Sequence, residues 1–416
     1  IGLKNVARVS NSGDILVKGI PMNILGLNLN PEGYDPSAAL VVSGKIACAA
    51  EEERWTGTKH EPGGVPRHAT EWCLSSQHLA GGDIDVVAYG WNYERFIDGT
   101  PLSSQSDPIK NNWIGLPRSA RSTQHFYCDH HKAHAYGAWS AAGYTNDVVV
   151  LVIDGSGERE SSSTWTSHGT SHGLQLRNAT PLGRSFGFFY EAACLILGWH
   201  TLDGGKTMGL APYGRPVVEL PSILDAPYDT EASEIDQYSS ALRYWTSIFR
   251  SRCHFTPRAN AAVKIELDDP NFQAYANFAA SVQSRLENDL FSYVRASWLD
   301  AGKPRHIALS GGVAINCVAN SAILSRCRKE LSPDIELHVQ NPPGDAGVSV
   351  GAAIAAGAEL YGTLIPPPQS SFLGPIPDRE RALEAAEQGG FKIADVEHAG
   401  SIINRILEAN EPIGIC

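Results

Sequence analysis

VVVLVIDGSGE, Val148–Glu158, is the stretch on which the fold turns. Six consecutive apolar, mostly β-branched residues are what a strand buried on both faces requires, because period-two alternation disappears when neither face meets water. The run delivers Asp154 directly into a Gly-Ser-Gly turn, and SSTWTSHG and GLQLRNAT beyond it read as a hairpin. The same scheme stands near the start of the chain. MNILGLNLN (22–30) ends in a polar, glycine-containing turn, and SAALVVSG and KIACAAEEER follow as two more strands of an antiparallel meander. Helical spacing follows in PRHATEWCLSSQHL (66–79), then the buried strand of DIDVVAYGW, a loop-rich section from about 92 to 123, and the helix of HHKAHAYGAWSAAG. This recurrence predicts two related halves of a duplicated α/β core.

Downstream, FGFFYEAACLILGW reads as a helix, followed by a glycine-rich turn, acidic surface segments and a long helix over roughly 271–298. HIALSGGVAINCVANSAIL reads as strand, glycine turn and helix, and ELHVQNPPGDAGVSVGAAIAAGAEL repeats that order. GTLIPPPQSSFLGPIPD (362–378) is a linker or extended crossing by composition, and beyond it RERALEAAEQ, FKIADV and SIINRILEAN read as helix, strand and helix before EPIGIC stops in mid-strand.

A chain of 416 residues that is 43% hydrophobic can bury a large core. Its 33 basic residues against 45 acidic ones give a net charge of -12, which repels phosphate backbones and argues against nucleic acid as a partner. No run of eighteen apolar residues suggests a membrane span. The eight cysteines show no CxxC spacing and sit mostly in apolar surroundings, as expected of free thiols in the cytoplasm. The segment ahead of Met22 reads as an added leader, 1–21, before a natural start.

Several short stretches carry chemistry. In CDHHKAHAYGAW, His130 and His134 are four apart and share a helix face, while His131 points elsewhere. The spacing permits chelation, and it equally fits two ordinary histidines. Two imidazoles need further ligands, for which Asp154 at the strand end is a natural candidate. No Glu follows His130, so this is not the HExxH protease arrangement. Gly155 and Gly157 allow backbone N–H groups to approach a phosphate, or they simply make a tight hairpin. Gly311 and Gly312 stand between a strand and a helix start, where an anion or nucleotide can come close. Asp345 in PPGDAG is either a helix cap or a fourth metal ligand. Lys206 in DGGKTMGLAPYG suits a phosphate contact or a solvated loop, and the spacing is not that of a Walker A motif. EEERWTGTKHEPGG supplies Arg54, Lys59 and His60, in a charge run of the kind that commonly faces solvent.

Taken in order, GLNLNPEGYDPSAALV, AAEEERWTGTKH, DHHKAHA, VIDGSGE, GKTMGLAPYG, LSGGVAINCVAN and PPGDAGVSVGAA make the chain resemble the NodU/CmcH family of carbamoyltransferases over about residues 22–416. The likeness is nearest to antibiotic O-carbamoyltransferases such as the tobramycin enzyme. It implies a duplicated actin-like, hexokinase-like ATPase (RNase H-like) fold for 22–361, and the incomplete start of a YrdC-like α/β domain in 362–416. In that family the YrdC-type domain makes carbamoyl-adenylate from carbamoyl phosphate and ATP, and the first domain moves the carbamoyl group to a hydroxyl. The resemblance makes His130, His134, Asp154 and Asp345 the ligands of a metal, iron by the family's habit, that grips nucleotide phosphate. It matches Gly155 and Gly157 to the phosphate turn, Lys206 to the Gly-Lys-x-Met-Gly-Leu-Ala loop, and Gly311, Gly312, Asn316 and Asn320 to the nucleotide side. Lys59 and His60 match a basic pair near the transfer site.

Two departures stand out. The family has His-Asp where this chain has Tyr34-Asp35, so the general base for the acceptor hydroxyl is sought at Asp35, His60 or the substrate. The chain also stops before the family's Gly-Arg-x-Glu-x-Gly-Pro-Arg-Ala-Leu-Gly stretch, so the adenylate-forming half is expected from the natural chain. The expected activity is O-carbamoyl transfer to a small hydroxylated metabolite, in antibiotic biosynthesis if the nearest likeness holds. A nucleotide-binding regulatory module of the same fold is the rival. A tRNA threonylcarbamoylation enzyme, whose fold is shared, is disfavoured by the acidic charge.

Overall fold

Every residue of Val148–Ile153 is buried, as its unbroken apolar run requires. Alternate side chains enter two different cores: Val148, Val150 and Val152 on one face, Val149, Leu151 and Ile153 on the other. The computed structural model describes residues 22–30, 34–92, 124–167, 173–229, 232–258, 265–368, 370–376, 378–391 and 408. The expected leader, much of the loop-rich section and nearly all of the expected final strands and helix lie outside those residues. The chain divides into a unit ending at Gly374 and a second beginning at Pro375.

In the first unit, strands β1 (Ile24–Asn28), β2 (Ser37–Val42) and β3 (Lys45–Glu51) form the expected meander. Helices α1 (Glu53–Thr56) and α2 (Arg67–Ser76) lead to β4 (Val86–Tyr89), and β5 (Gln124–Tyr127) completes a sheet of order β3-β2-β1-β4-β5. Helix α3 (His130–Ala141) then enters the second half, with β6 (Val148–Ile153), β7 (Glu160–Ser167), β8 (Leu174–Pro181), α4 (Phe186–Ile196), α5 (Gly204–Leu210), α6 (Glu234–Arg252) and α7 (Phe272–Asp300). Strand β9 (His306–Ser310), α8 (Cys317–Glu330), β10 (Glu336–Val339) and α9 (Val348–Tyr361) close it, in a sheet of order β8-β7-β6-β9-β10.

The two sheets are the same object. In each, the first strand pairs antiparallel with the second and parallel with the fourth, and the fourth pairs parallel with the fifth. This is the duplicated RNase H-like arrangement of actin-like ATPases. Helices α3 and α9 fill the space between the sheets, with Ala133, Tyr136, Trp139, Ala352 and Ile354 packed against Ile24, Val86, Val150 and Ala308. The helices cross so closely that a Cβ on Gly351 would stand 2.0 Å from the Ala133 carbonyl oxygen. Helix α2 covers the outer face of the first sheet through Ala69, Cys73 and Leu74, and α4, α6, α7 and α8 cover that of the second.

Three elements differ from expectation. Helix α6 occupies what reads as an acidic surface segment; Ala241, Trp245 and Phe249, spaced by four, bury its inner face, and Ser233 caps its start. The Lys206 loop is instead the short helix α5, held because Thr207 and Leu210 are buried and Thr207 Oγ1 meets Cys194 Sγ at 3.3 Å. Strand β5, only four residues long and largely exposed, shows too little patterning to be read.

The first unit includes the start of the Pro-rich stretch: Ile365 is buried, Tyr144 donates to its carbonyl, and Ala49 N–H donates to Leu373 O at 3.1 Å. In the second unit, helix α10 (Arg379–Gln388) is capped by Asp378, whose carboxylate accepts from Arg381 N–H at 3.1 Å. Among the described residues no helix is long and apolar enough to cross a membrane, and the seven described cysteines are free, five of them buried.

Candidate metal and phosphate site

The carboxyl ends of β1, β4, β6 and β9 and the amino end of α3 converge where the two halves meet, the usual place for a ligand in such sheets. Helix α3 begins on Glu158, whose carboxylate accepts from His130 N–H at 2.9 and 3.0 Å and from Asn92 N–H at 2.8 Å. Burial pushes the Glu158 carboxyl up to about 7, against the pull of His130 and these amides.

One turn apart on α3, His130 and His134 are wholly buried. His130 Nδ1 lies 3.2 Å from Gly90 O and His134 Nδ1 lies 2.8 Å from Ser310 Oγ. Those contacts take the Nδ1 side of each ring and turn Nε2 inward. His130 Nε2 stands 3.3 Å from Asp154 Oδ2 and 3.4 Å from Asp345 Oδ1; His134 Nε2 stands 3.2 and 3.5 Å from the same atoms. The four donor atoms lie within 4.8 Å of one another. The outward oxygens are held as well. Asp154 Oδ1 accepts from Gly155 N–H at 2.8 Å and Gly312 N–H at 3.0 Å, and Asp345 Oδ2 accepts from Asn30 Nδ2 at 3.0 Å.

This set fits a transition-metal ion. His134 Nε2 is buried with no hydrogen-bond partner among the described residues, a lone pair aimed at two carboxylates whose other oxygens are occupied. Burial disfavours charge on His130 and on both carboxyls, yet Asp345 and Asp154 hold the His130 imidazole well above its ordinary pKa, and both carboxyls stay well below theirs. His131 points away, with Nδ1 2.9 Å from Ser163 Oγ, and burial lowers its pKa to about 3.

Glycines shape the wall beside the cluster. Gly311 has φ +97°, and a Cβ there would meet Ile153 O at 2.3 Å; one on Gly312 would stand 2.9 Å from Asp154 Oδ1. Gly157 packs on the His131 ring, while Gly155 is partly exposed, with Glu191 Oε1 3.4 Å from where its Cβ would be. Ser185 Oγ donates to Gly155 O at 2.7 Å and accepts from Phe188 N–H at 3.1 Å, tying this turn to the start of α4. Lys206 is exposed and donates to Asp203 Oδ2 at 2.8 Å. Despite some burial, Asp203 is held below its ordinary pKa by Lys206, with a smaller contribution from Lys59, so both lysines act on one carboxylate. Asn316 caps α8 by accepting from Ala319 N–H at 3.0 Å and donates to Gln283 Oε1 at 2.9 Å; Asn320 donates to Ala314 O at 2.7 Å.

Asp35 and His60 form a second grouping. Asp35 Oδ1 lies 2.8 Å from His60 Nδ1, Asp35 N–H donates to His60 O at 2.9 Å, and Glu53 accepts from His60 N–H at 2.9 Å. Both residues take left-handed backbone conformations, φ 48° and 63°. Such conformations in non-glycine residues store of order 1–3 kcal/mol and collect at functional sites. The Asp35 hydrogen bond raises the His60 pKa against the opposing effect of burial, and His60 Nε2 is buried with no partner among the described residues. Tyr34 precedes the pair and is half-buried, whereas Lys59 is exposed.

The two groupings are linked through Asn28, inside the first of the quoted motifs, and Trp91, inside none of them. Asn28 Nδ2 donates to Asp35 O at 2.8 Å, Trp91 Nε1 donates to Asn28 Oδ1 at 3.0 Å, and the Trp91 ring stacks on His130 with centroids 3.8 Å apart. Asn28 and Asn30 close a polar strand end, the same signal that marked Asp154, and could have been read from it.

A family model described as carbamoyltransferase N-terminus matches residues 116–354, more than half of the chain. The nodulation protein NolNO of Sinorhizobium fredii is 28% identical over 390 residues, covering 90% of this chain and 54% of that protein. An uncharacterized protein of Synechocystis is 26% identical over 366 residues, covering 79% and 56%. The chain thus spans about half the length of these curated relatives. Among solved structures, full-length HypF in a phosphate- and nucleotide-bound form covers 84% of this chain and 48% of its own, with a TM-score of 0.43 and 14% identity, a likeness that carries no functional argument.

Proposed function

We propose, from the premise that this chain belongs to the carbamoyltransferase family, that its first unit is the transfer half of an O-carbamoyltransferase. It moves a carbamoyl group from carbamoyl-adenylate, made from carbamoyl phosphate and ATP, to a hydroxyl of a small metabolite. The observation that carries this reading is the buried cluster of two imidazoles and two carboxylates beside a glycine-walled turn.

His130, His134, Asp154 and Asp345 would hold a metal ion, for which we propose iron; bound there, it supplies positive charge for the nucleotide phosphate. Gly155, Gly157, Gly311 and Gly312 let backbone approach that phosphate closely. Lys206 and Lys59 add positive charge at the rim, with Asp203 holding Lys206 until an anion competes for it. Asn316 and Asn320 shape the nucleotide side by fixing the start of α8.

Asp35 accepts from His60 Nδ1–H and so leaves the Nε2 lone pair of His60 to act as general base in place of the family's histidine at 34. His60 Nε2 takes the acceptor's hydroxyl proton as the acceptor oxygen bonds to the carbamoyl carbon. The bond from that carbon to the adenylate phosphate oxygen breaks, and AMP leaves with the electron pair. Tyr34, beside this pair, takes part in shaping the acceptor's seat. The free thiols fit a cytoplasmic setting.

The test is to supply metal-replete chain with carbamoyl-adenylate and a panel of hydroxylated small molecules, and to look by mass spectrometry for a product heavier by one carbamoyl group. Product with any acceptor, lost in His60→Ala, supports the assignment. Tight nucleotide binding without product from the panel favours the regulatory module instead.

A further inference from the structure

Metal-ligating side chains gather at one other place among the described residues, at the opposite end of the second sheet. His306 opens β9 and Glu336 opens β10, and the parallel register sets these two residues side by side. His338 lies two residues along β10, on the same face as Glu336. The intervening residues Ile307, Leu337 and Val339 turn to the opposite face and pack into the core under α7 and α8. The three polar side chains therefore stand together at the start of two adjacent strands, one of them the edge of the sheet.

Their donor atoms converge. His306 Nδ1 is 3.0 Å from His338 Nε2, and Glu336 Oε2 lies 3.7 Å from the first and 3.9 Å from the second. Metal–nitrogen and metal–oxygen bonds of about 2.0–2.2 Å at tetrahedral angles set donors roughly 3.3–3.5 Å apart, so closure needs movements of only a few tenths of an ångström. Arg305 takes the other Glu336 oxygen, Oε1, which leaves Oε2 turned to the rings. A hydrogen bond between the imidazoles would use one nitrogen of each and leave Glu336 Oε2 beyond bonding distance of both. An ion engages all three.

We propose that His306, Glu336 and His338 form a second, peripheral metal site for a zinc-class divalent cation, with water completing a tetrahedron. Two nitrogens and one carboxylate oxygen match the donor preference of Zn²⁺ rather than that of Mg²⁺ or Ca²⁺, which take oxygen alone. The site is separate from the cluster around His130. Four residue steps along β9, about 13 Å at strand rise, separate His306 from Ser310, the partner of His134. Its occupant ties the edge strand β10 to β9. Beyond β10 the chain runs on to Asp345, so the site braces the strand that delivers one of the proposed catalytic metal ligands.

The experiment uses the full chain stripped of metal and titrated with Zn²⁺. By native mass spectrometry and calorimetry the wild type takes up one more ion than His306→Ala/His338→Ala, and Co²⁺ in its place gives the strong visible bands of four-coordination. Glu336→Gln and His338→Ala each weaken this ion at least 10-fold, with the far-ultraviolet circular dichroism unchanged. Equal stoichiometry in wild type and double variant, or affinity unmoved by both single variants, overturns the proposal and leaves ordinary surface histidines. Should the double variant unfold, the two single variants decide the question in the same way.

Discussion

Asp35 and His60 are 25 positions apart, and no spacing rule joins them. What joins them is a pair of left-handed backbone conformations and a loop held by Glu53, features that belong to the folded chain. By contrast, His130, His134, Asp154 and Asp345 were legible, because each sits at a position where local pattern sets direction: one helix face, a strand end, a helix start. Trp91, which braces them, was not, and for Asn28 and Asn30 only the polar strand end was. Their partners arrive from across the molecule, Asn30 meeting Asp345 over 315 positions of chain. Since His60 gains its proton more readily in the folded state than its ordinary 6.5, the pair's contribution to stability is full below that value. It is lost as pH rises through the higher folded value. As a base, His60 must be neutral, so transfer is expected to rise with pH through the same folded value. Asp35→Asn is expected to move the His60 midpoint down in an imidazole NMR titration and to shift the pH–rate profile with it; an unmoved midpoint removes Asp35 from this role.

At the scale of elements, the strands of both meanders and helices α2, α3, α4, α7, α8 and α9 follow directly from apolar period and turn residues. Helix α6 escaped because its polar lead-in hides an apolar row of Ala241, Trp245 and Phe249, and α5 because burial of Thr207 and Leu210 overrides three helix glycines. Helices α3 and α9 cross in close contact. Gly351→Ala puts a methyl 2.0 Å from Ala133 O, where only backbone can give way. We expect it to lower unfolding stability by about 1–3 kcal/mol or more in urea titrations, a loss that a Gly205→Ala substitution, made where nothing among the described residues lies within 4 Å, does not share. Ser185→Ala removes a helix cap and a bond to the Gly155 turn, and should cost about 1–2 kcal/mol while weakening nucleotide binding.

For the whole molecule, duplication was legible because each half repeats strand, polar turn and hairpin before its helices, and the matching strand orders bear it out. How the halves close on one another is a matter of long-range packing between α3, α9 and both sheets, for which the chain carries no local signal. That closure brings the start of β2, paired with the end of β1, to the turn before α9: Ser37 Oγ donates to Ala346 O at 2.9 Å. It is also what turns four scattered residues into one buried cluster. The most direct test of that cluster's role is nucleotide affinity measured with and without metal. Chain purified without oxygen is assayed for iron, and ATP binding is compared among metal-replete wild type, metal-stripped wild type and His134→Ala. We expect iron bound in the wild type, little in the variant, and ATP affinity at least 10-fold weaker in both metal-poor samples. Equal ATP affinity in all three would contradict a phosphate site built on His130, His134, Asp154 and Asp345.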